Sequence, residues 1–189
     1  MTTKLIIIIG FSYLYGIFEA VMSLMQRRRS KVSKAGDKGS VWVIYLVIAI
    51  GYTGSFLVGS TETGRIYHWD TFFAIGGILV ILGLIIRISS ILILNKHFTY
   101  SVALIENHEL IETGLYRVIR HPGYLGQLII FMGIATTLSN WLSIVFMMLP
   151  VLIGYIYRIN VEEKFLIEQM GTKYLEYQKR TDRLIPKVY

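Results

Sequence analysis

The sequence predicts an all-α integral membrane protein with about five transmembrane helices. Hydrophobic residues make up 54% of its 189 residues and charged residues only 16%, whereas soluble domains carry about 25% charged residues. The apolar residues are also concentrated in five long runs. Because a hydrocarbon core about 30 Å thick is crossed by about 20 helical residues, these runs are the predicted spans.

The first three runs, at residues 5–25, 41–58 and 72–94, are each long enough to cross a membrane. The first is too long for the apolar core of a signal peptide and lacks a small-x-small cleavage site. We therefore expect it to remain as the first span. Two shorter runs, at residues 124–138 and 142–157, are separated by Ser139, Asn140 and Trp141, which predicts a helical hairpin with a tight polar turn.

The positions of the basic residues predict the orientation in the membrane. With five spans, one side carries only Lys4 and Arg65, and the other side carries the basic loops and the C-terminal segment. The positive-inside rule then places the N-terminus outside and the C-terminus in the cytoplasm. The net charge of +7 is therefore interpreted as topology and contact with membrane lipids, and no nucleic acid partner is expected. The basic residues on the predicted cytoplasmic side before the hairpin are Arg27, Arg28, Arg29, Lys31, Lys34, Lys38, Lys96, Arg117 and Arg120.

The chain divides into two regions. Residues 1–94 are expected to form three transmembrane helices with a basic cytoplasmic loop, and residues 95–189 to form a functional region at the cytoplasmic face. In the second region, residues 101–105 predict a short strand or extended passage. Pro122 predicts a helix start, because the missing proline N–H costs nothing in the first helical turn. Beyond Tyr157 an amphipathic helix is expected to end at Gly171, followed by a short helix at residues 174–180.

Two ionisable residues lie inside apolar runs, where an unpaired charge is expensive. Arg87 is about two turns from the end of the third run, so we expect it either to extend to the interface or to face a catalytic cavity. Glu19 is close to the cluster at Arg27, and we expect it to pair with that cluster.

Two polar segments interrupt the apolar sequence and are candidates for one site. The first is residues 114–126, GLYRVIRHPGYLG, and the second holds Arg158, Glu162 and Glu163. The predicted hairpin returns the second segment to the same end as the first. A helix that begins after His121 offers free N–H groups to an anion, and Arg158 with Glu162 offers a fork for a carboxylate and an anion for a cationic group.

Simpler interpretations of these segments remain open. The first is also typical of an Arg, His and Tyr cluster at a membrane interface, and Arg158 with Glu162 is also a spacing for an ordinary ion pair on one helix face. Other chemistry has less support, since the chain has no cysteine, no phosphate-binding glycine loop and no serine nucleophile motif. The four histidines have no i, i+4 spacing, so no metal site is expected.

The two segments together resemble the isoprenylcysteine carboxyl methyltransferase family and the related phospholipid methyltransferases. The resemblance rests on residues 114–126, then Arg158 with the pair Glu162 and Glu163, then Gly171 followed by Tyr174 and Tyr177. It covers residues 95–189, about half of the chain, whereas the first two spans match only in being hydrophobic. The chain lacks the longer acidic run of eukaryotic members and the additional spans of animal members, which leaves the acceptor open.

This resemblance implies an integral membrane enzyme that transfers a methyl group from S-adenosylmethionine to a lipophilic acceptor entering from the bilayer. The most direct reading is methylation of an isoprenylcysteine-like carboxylate to a methyl ester. Arg158 and Glu162 are the implied catalytic residues, and Arg158 is also the implied substrate-binding residue. The implied cofactor-binding residues are His108, Glu109, Leu110, Ile111, Tyr116, His121, Pro122, Gly123, Tyr124 and Glu162.

Two alternatives are kept. A phospholipid or other lipid-amine N-methyltransferase would need a deprotonated amine and would gain little from Arg158. A non-enzymatic membrane scaffold or small transporter would leave both polar segments as surface features.

Overall fold

The computed structural model describes residues 2–29, 32–36, 39–100, 102–105 and 109–189. Most of the described chain is helical, as the sequence predicts. The six α-helices are α1 (Thr2–Arg29), α2 (Ser40–Gly59), α3 (Trp69–Leu94), α4 (Pro122–Thr137), α5 (Trp141–Met170) and α6 (Thr172–Arg180). Two short antiparallel strands, β1 (Val32–Ala35) and β2 (Ala103–Ile105), pair with each other, and 3-10 turns occupy Asn95–His97 and Gly114–Arg117.

Four of the described helices, α1, α2, α3 and α5, are long and apolar enough to cross a membrane. The prediction of an all-α integral membrane protein is therefore confirmed. Helix α4 has 16 residues and is buried along most of its length, so five spans stays a prediction. The expected extended passage at residues 101–105 includes strand β2, and α4 begins at Pro122, where the sequence predicts a helix start.

Helices α3 and α4 pack through glycines. A Cβ added at Gly83 would lie 2.7 Å from the carbonyl oxygen of Gly126, and a Cβ added at Gly133 would lie 2.7 Å from that of Gly76. Any larger side chain at these positions would force the two backbones apart. Small residues of this kind allow close van der Waals packing between helices in a membrane, where burial of apolar surface contributes little to their association.

Asn140 holds the turn of the α4–α5 hairpin. Its Oδ1 accepts hydrogen bonds from the backbone N–H groups of Leu142 and Ser143, at 2.9 and 3.2 Å, which caps the start of α5. Its Nδ2 donates to the carbonyl oxygen of Thr63 at 2.8 Å, in the loop between α2 and α3. One buried side chain therefore joins two loops at this end of the bundle.

Helix α1 is attached to the bundle along one narrow face. Tyr15 lies edge-on to Phe131 of α4, with 6.3 Å between ring centroids. Much of the rest of the helix is exposed, including Ile6 and Leu14 at 64% and 66%. An exposed apolar face on a helix of spanning length is suited to lipid, so α1 borders the bilayer on its outer side.

The predicted orientation has a direct test, because the cysteine-free chain accepts single cysteines without background labelling. We expect Thr61→Cys, between α2 and α3, to react with a membrane-impermeant maleimide in intact cells. Lys173→Cys, on exposed α6, should react only after permeabilisation, since the basic residues are held inside. The reverse pattern would contradict the predicted orientation.

Candidate active site

A pocket lined by both polar and apolar side chains, called the polar pocket below, lies where α4 begins. Its wall is formed by the end of α3 with the residues that follow it, the segment 109–111, the second 3-10 turn, the first turn of α4 and the far end of α5. Helix α6 closes a further side. The residues of this wall include Glu109, Leu110, Ile111, Tyr116, His121, Gly123, Tyr124, Glu162, Tyr174 and Tyr177.

Local backbone geometry explains why the first polar segment reaches the pocket. Gly114 has φ +58°, a conformation that glycine adopts without strain, and it turns the chain into the 3-10 turn that buries Tyr116. The backbone then extends to His121, and Pro122 starts α4 at the position where proline fits best. The sequence thus directs Tyr116, His121 and Tyr124 toward one cavity.

Tyr124 connects the two predicted polar segments. Its hydroxyl donates to Oε2 of Glu162 at 2.6 Å and accepts from Nε of Arg158 at 3.2 Å. Its ring stacks on the His121 ring, with centroids 5.5 Å apart and planes 8° from parallel. The predicted hairpin therefore brings Arg158 and Glu162 to the start of α4, with Tyr124 between them.

Arg158 is buried, at 3% exposure. Besides its contact with Tyr124, its Nη2 donates to the carbonyl oxygen of Tyr100 at 2.7 Å, and its Nη1 donates to the Ser40 hydroxyl. The guanidinium therefore joins α5 to the start of α2 and to the segment after α3. Such a network fixes the orientation of the side chain at the wall of the site.

Glu163 holds a second charged network, which the sequence did not assign. It is 2% exposed. Its Oε1 accepts from Nε of Arg120 at 2.7 Å and also lies 3.3 Å from Nε2 of His121. Its Oε2 accepts from Nε of Arg183 at 2.9 Å. The sequence predicts that His121 borders a site open to an anion. In the structure, its ring contacts the carboxylate of Glu163.

The C-terminal strap, residues 181–184, lies along the segment that precedes α4. The backbone N–H of Asp182 donates to the carbonyl oxygen of Val118 at 3.1 Å, and the N–H of Arg120 donates to that of Asp182 at 2.8 Å. Helix α6 has only nine residues and is too short to be stable alone. The strap therefore holds α6, with Tyr174 and Tyr177, against the pocket.

Burial in this wall also raises the pKa of two phenols. Burial, with Glu162 nearby, raises the pKa of Tyr116 well above its usual range, and burial likewise raises the pKa of Tyr177. Both hydroxyls stay protonated at neutral pH. Tyr177 uses its proton to donate to the carbonyl oxygen of Tyr116 at 2.6 Å, which ties α6 to the 3-10 turn.

An apolar groove of about 640 Å³ lies on the other side of Tyr124, between α1, α2 and the α4–α5 hairpin. Tyr13 and Tyr45 border it and are 71% and 51% exposed, so the groove opens on the lipid-facing surface between α1 and α2. Four residues line both the groove and the polar pocket, which are therefore separated by a single layer of side chains. They are Arg87, Phe98, Thr99 and Tyr124.

Arg87 is paired with Glu19, not exposed at the interface. Its Nε and Nη2 donate to the two carboxylate oxygens of Glu19 at 2.9 and 2.8 Å. The expectation that Glu19 pairs with the Arg27 cluster is therefore wrong, because Glu19 lies on the face of α1 that carries Tyr15 and meets α3. The expectation that Arg87 faces a cavity agrees with its position in both walls.

The structure shows where all but one of the predicted site residues lie. Eight of them line the polar pocket: Glu109, Leu110, Ile111, Tyr116, His121, Gly123, Tyr124 and Glu162. Pro122 is buried at the start of α4, where it shapes the backbone, and Arg158 lines the groove. His108 lies outside the described residues.

Sequence reasoning did not predict the partners of Glu163 and Glu19, or that α6 contributes to the pocket wall. A signal for Glu163 was present, because Arg120 and His121 both need an anion and a helix turns by about 100° per residue, so adjacent Glu162 and Glu163 face different partners. Nothing local in the sequence indicates the Glu19 contact, which joins residues 68 positions apart. Within the described residues, no group of three potential ligands is placed to hold a metal ion.

The fold and this site define a helical membrane protein with adjoining polar and lipid-facing cavities. The family model described as phospholipid methyltransferase matches residues 71–173, more than half of the chain. The protein belongs to the phospholipid methyltransferase family.

The chain is also similar to individual proteins whose names are more specific than the family description. The chain is 36% identical to protein-S-isoprenylcysteine O-methyltransferase A of Arabidopsis thaliana, over 60% of this chain and 58% of the relative. It is 32% identical to protein-S-isoprenylcysteine O-methyltransferase of Xenopus laevis, over 75% of this chain and 50% of the relative. The chain thus spans about half the length of these relatives.

A solved structure has a similar fold. It is the eukaryotic intramembrane Ras methyltransferase, an isoprenylcysteine carboxyl methyltransferase, which superposes with a TM-score of 0.59 at 25% identity. The match covers 76% of this chain and 52% of that one.

The Glu163 network predicts a large loss of stability on its removal. Glu163→Ala leaves buried Arg120 without its carboxylate, and breaking a buried pair in this way costs about 3–5 kcal/mol. Unfolding of the purified protein by added dodecyl sulfate in mixed micelles measures the change. Glu168→Ala, at an exposed position on the same helix, is the matched control and should stay near wild type. Equal stability of the two variants would contradict the assigned network.

Proposed function

We propose that this protein is an S-adenosylmethionine-dependent methyltransferase that converts the carboxylate of a lipophilic, isoprenylcysteine-like acceptor to a methyl ester. One observation carries the proposal: a polar pocket and a lipid-facing groove share a wall one side chain thick. A polar methyl donor and an apolar acceptor need such an arrangement, since each must approach from a different solvent and meet at one point. Sequence relatives that are named protein-S-isoprenylcysteine O-methyltransferases support this activity.

The chemistry of the polar pocket suits S-adenosylmethionine. Glu162 supplies an anion for the amino group, held in place by the Tyr124 hydroxyl. Several aromatic rings, including Tyr116, give flat apolar surfaces for an adenine ring. Gly123 leaves room at the start of α4, where an added Cβ would lie 3.0 Å from Nη1 of Arg87, and helix N–H groups there favour a carboxylate. We assign cofactor binding to the eight residues of this wall that the sequence predicted, with Pro122 shaping the backbone.

Methyl transfer of this kind needs alignment more than proton transfer. When bound, the cofactor supplies an electrophilic methyl group on a sulfonium sulfur. An acceptor carboxylate is already ionised at neutral pH, so the protein would need no general base to activate it. The protein must orient the carboxylate and exclude water, and a groove lined mainly by apolar side chains excludes water.

Two arginines are placed to orient the acceptor carboxylate. Arg158 lines the groove, with its guanidinium fixed by Tyr124, Ser40 and the Tyr100 carbonyl. Arg87 lines both cavities, and Glu19 holds only its Nε and Nη2 edge. We assign substrate orientation to Arg158, as the sequence predicts, and add Arg87 at the wall where the two cavities meet.

The opening of the groove toward lipid and the predicted orientation of the protein in the membrane indicate how each substrate would enter. The acceptor enters from the bilayer between α1 and α2, and the methyl donor enters from the cytoplasm.

The alternative N-methyltransferase activity on a lipid amine is favoured by the description of the matched family. It accounts less well for two buried arginines in the groove, because cations repel an ammonium group and gain nothing from a neutral amine. Transfer of labelled methyl groups to a prenylcysteine analogue, with phosphatidylethanolamine as the competing acceptor, distinguishes the two activities.

Glu162→Gln should weaken cofactor binding by roughly tenfold, because it replaces a charge-assisted hydrogen bond to the amino group with a neutral one. Calorimetric titration with S-adenosylhomocysteine, which retains the amino group, measures the change. Glu168→Gln is the control on the exposed side of the same helix. Unchanged affinity in the Glu162 variant would remove this residue from the cofactor site.

Arg158→Ala should raise the KM for the acceptor and lower kcat by roughly a hundredfold, since a misaligned nucleophile loses most of the advantage of proximity. Steady-state transfer of a labelled methyl group to a prenylcysteine analogue gives both constants, and titration with S-adenosylhomocysteine reports whether the cofactor pocket survives. Full transfer with an unchanged acceptor KM would contradict the assignment of Arg158.

A further inference from the structure

Glu19 is a largely buried carboxylate, with its side chain 16% exposed, that the proposed reaction leaves unused. It lies in α1, outside the residues that the family model matches. Its Oε1 accepts from Nε of Arg87 at 2.9 Å and from the Tyr15 hydroxyl at 2.8 Å. Its Oε2 accepts from Nη2 of Arg87 at 2.8 Å and from the Tyr100 hydroxyl at 2.7 Å.

Four donors on two oxygens make Glu19 a fixed anion. A carboxylate that accepts several hydrogen bonds, two of them from a guanidinium, is strongly held in its ionised form. It is therefore unsuited to take a proton from a substrate, and its negative charge is a permanent part of the groove wall.

This charge balances the end of the groove where the two cavities meet. Among the described side chains, the cations that line the groove are Arg87 and Arg158, and the carboxylates bound to this layer are Glu19 and Glu162. Glu162 faces the polar pocket, whereas Glu19 lines the groove. Without Glu19, the groove end would present two arginines with no anion of its own.

Such an excess of positive charge would affect binding and reaction in opposite ways. The acceptor carboxylate carries a full negative charge before transfer and none after it, so the charge on its oxygens falls in the transition state. Positive groups in excess therefore stabilise the bound substrate more than the transition state, which tightens binding and slows transfer.

We propose that Glu19 is a positioning residue that tunes the groove for a carboxylate acceptor. It holds Arg87 by its Nε and Nη2 edge, which leaves Nη1 beside Gly123 at the wall between the cavities. It also cancels enough of the arginine charge to keep the bound carboxylate reactive. This inference rests on the proposed function, which supplies the acceptor carboxylate.

The test compares binding of a carboxylate with binding of a neutral analogue. The ligands are N-acetyl-S-prenylcysteine and its carboxamide, titrated against the full-length protein in lipid nanodiscs. The ratio of their dissociation constants is the carboxylate preference. An opposite charge within roughly 4–6 Å shifts an ionic equilibrium by about one to three log units, so Glu19→Gln should raise this preference by at least about tenfold.

Steady-state kinetics on the carboxylate acceptor should show the opposing effect. Glu19→Gln is expected to lower the acceptor KM and to lower kcat, whereas a merely structural defect raises KM and lowers kcat together. Glu19 does not line the polar pocket, so the variant should still bind S-adenosylhomocysteine, and this binding reports correct folding.

Two further variants separate charge from packing. Glu19→Asp keeps the charge and should keep the wild-type carboxylate preference even where its shorter side chain lowers kcat. Tyr15→Phe removes one hydrogen bond to Glu19 without removing its charge and should also keep the preference. A raised carboxylate preference in either variant would contradict the inference, so it can still be overturned if Glu19→Gln does not fold.

Three outcomes would overturn the inference. They are an unchanged preference in Glu19→Gln, an increase in Glu19→Asp equal to that in Glu19→Gln, and a rise in acceptor KM in Glu19→Gln. Failure of the proposed function looks different: the wild-type protein would bind the carboxylate and transfer no methyl group to it. In that case a raised preference in Glu19→Gln still supports the role of Glu19 in anion binding.

Discussion

The close contact between α3 and α4 is the constraint on which the rest of the site depends. A Cβ added at Gly126 would lie 2.7 Å from the backbone nitrogen of Arg87 and 2.9 Å from the carbonyl oxygen of Gly83. The two backbones are therefore as close as glycine permits, and Arg87 lies beside the first turns of α4. Its guanidinium reaches the layer that separates the polar pocket from the groove because no side chain on α4 lies in its path. Packing between two helices thus sets the place where two substrates would meet.

Buried charges then connect the elements that hydrophobic contacts leave loosely attached. Helix α1, which is exposed along most of its length, is joined to α3 through Glu19 and Arg87. The C-terminal strap is joined to α5 through Arg183 and Glu163. Since an isolated charge in an apolar surrounding is expensive, each pair also opposes any arrangement that would separate its members. Glu19 and Arg87 line the groove, and Glu163 contacts Arg120 and His121 of the polar pocket, so the contacts that specify the assembly also affect the cavities.

Much of the fold follows from the sequence, because its main signals are local. The length of each apolar run predicts a helix of spanning length, and the contacts of Asn140 and Pro122 explain the hairpin turn and the start of α4. The two polar segments predict a common site because a helical hairpin brings the end of its second helix back beside the start of its first. What the sequence leaves open depends on helix phase and on distant partners. Adjacent Glu162 and Glu163 contact different neighbours because of helix phase. The partner of Glu19 is Arg87, 68 positions away in the sequence, so it depends on how α1 packs beside α3.

The two cavities draw on different parts of the chain. None of the described residues of α1 or α2 lines the polar pocket, whereas these two helices form the side of the groove that opens toward lipid. Substitutions on their inner faces can therefore alter the acceptor while the donor side keeps its shape. Under the proposed function, one half of the site would bind the methyl donor, and changes in only two helices would suit the other half to a different lipophilic acceptor.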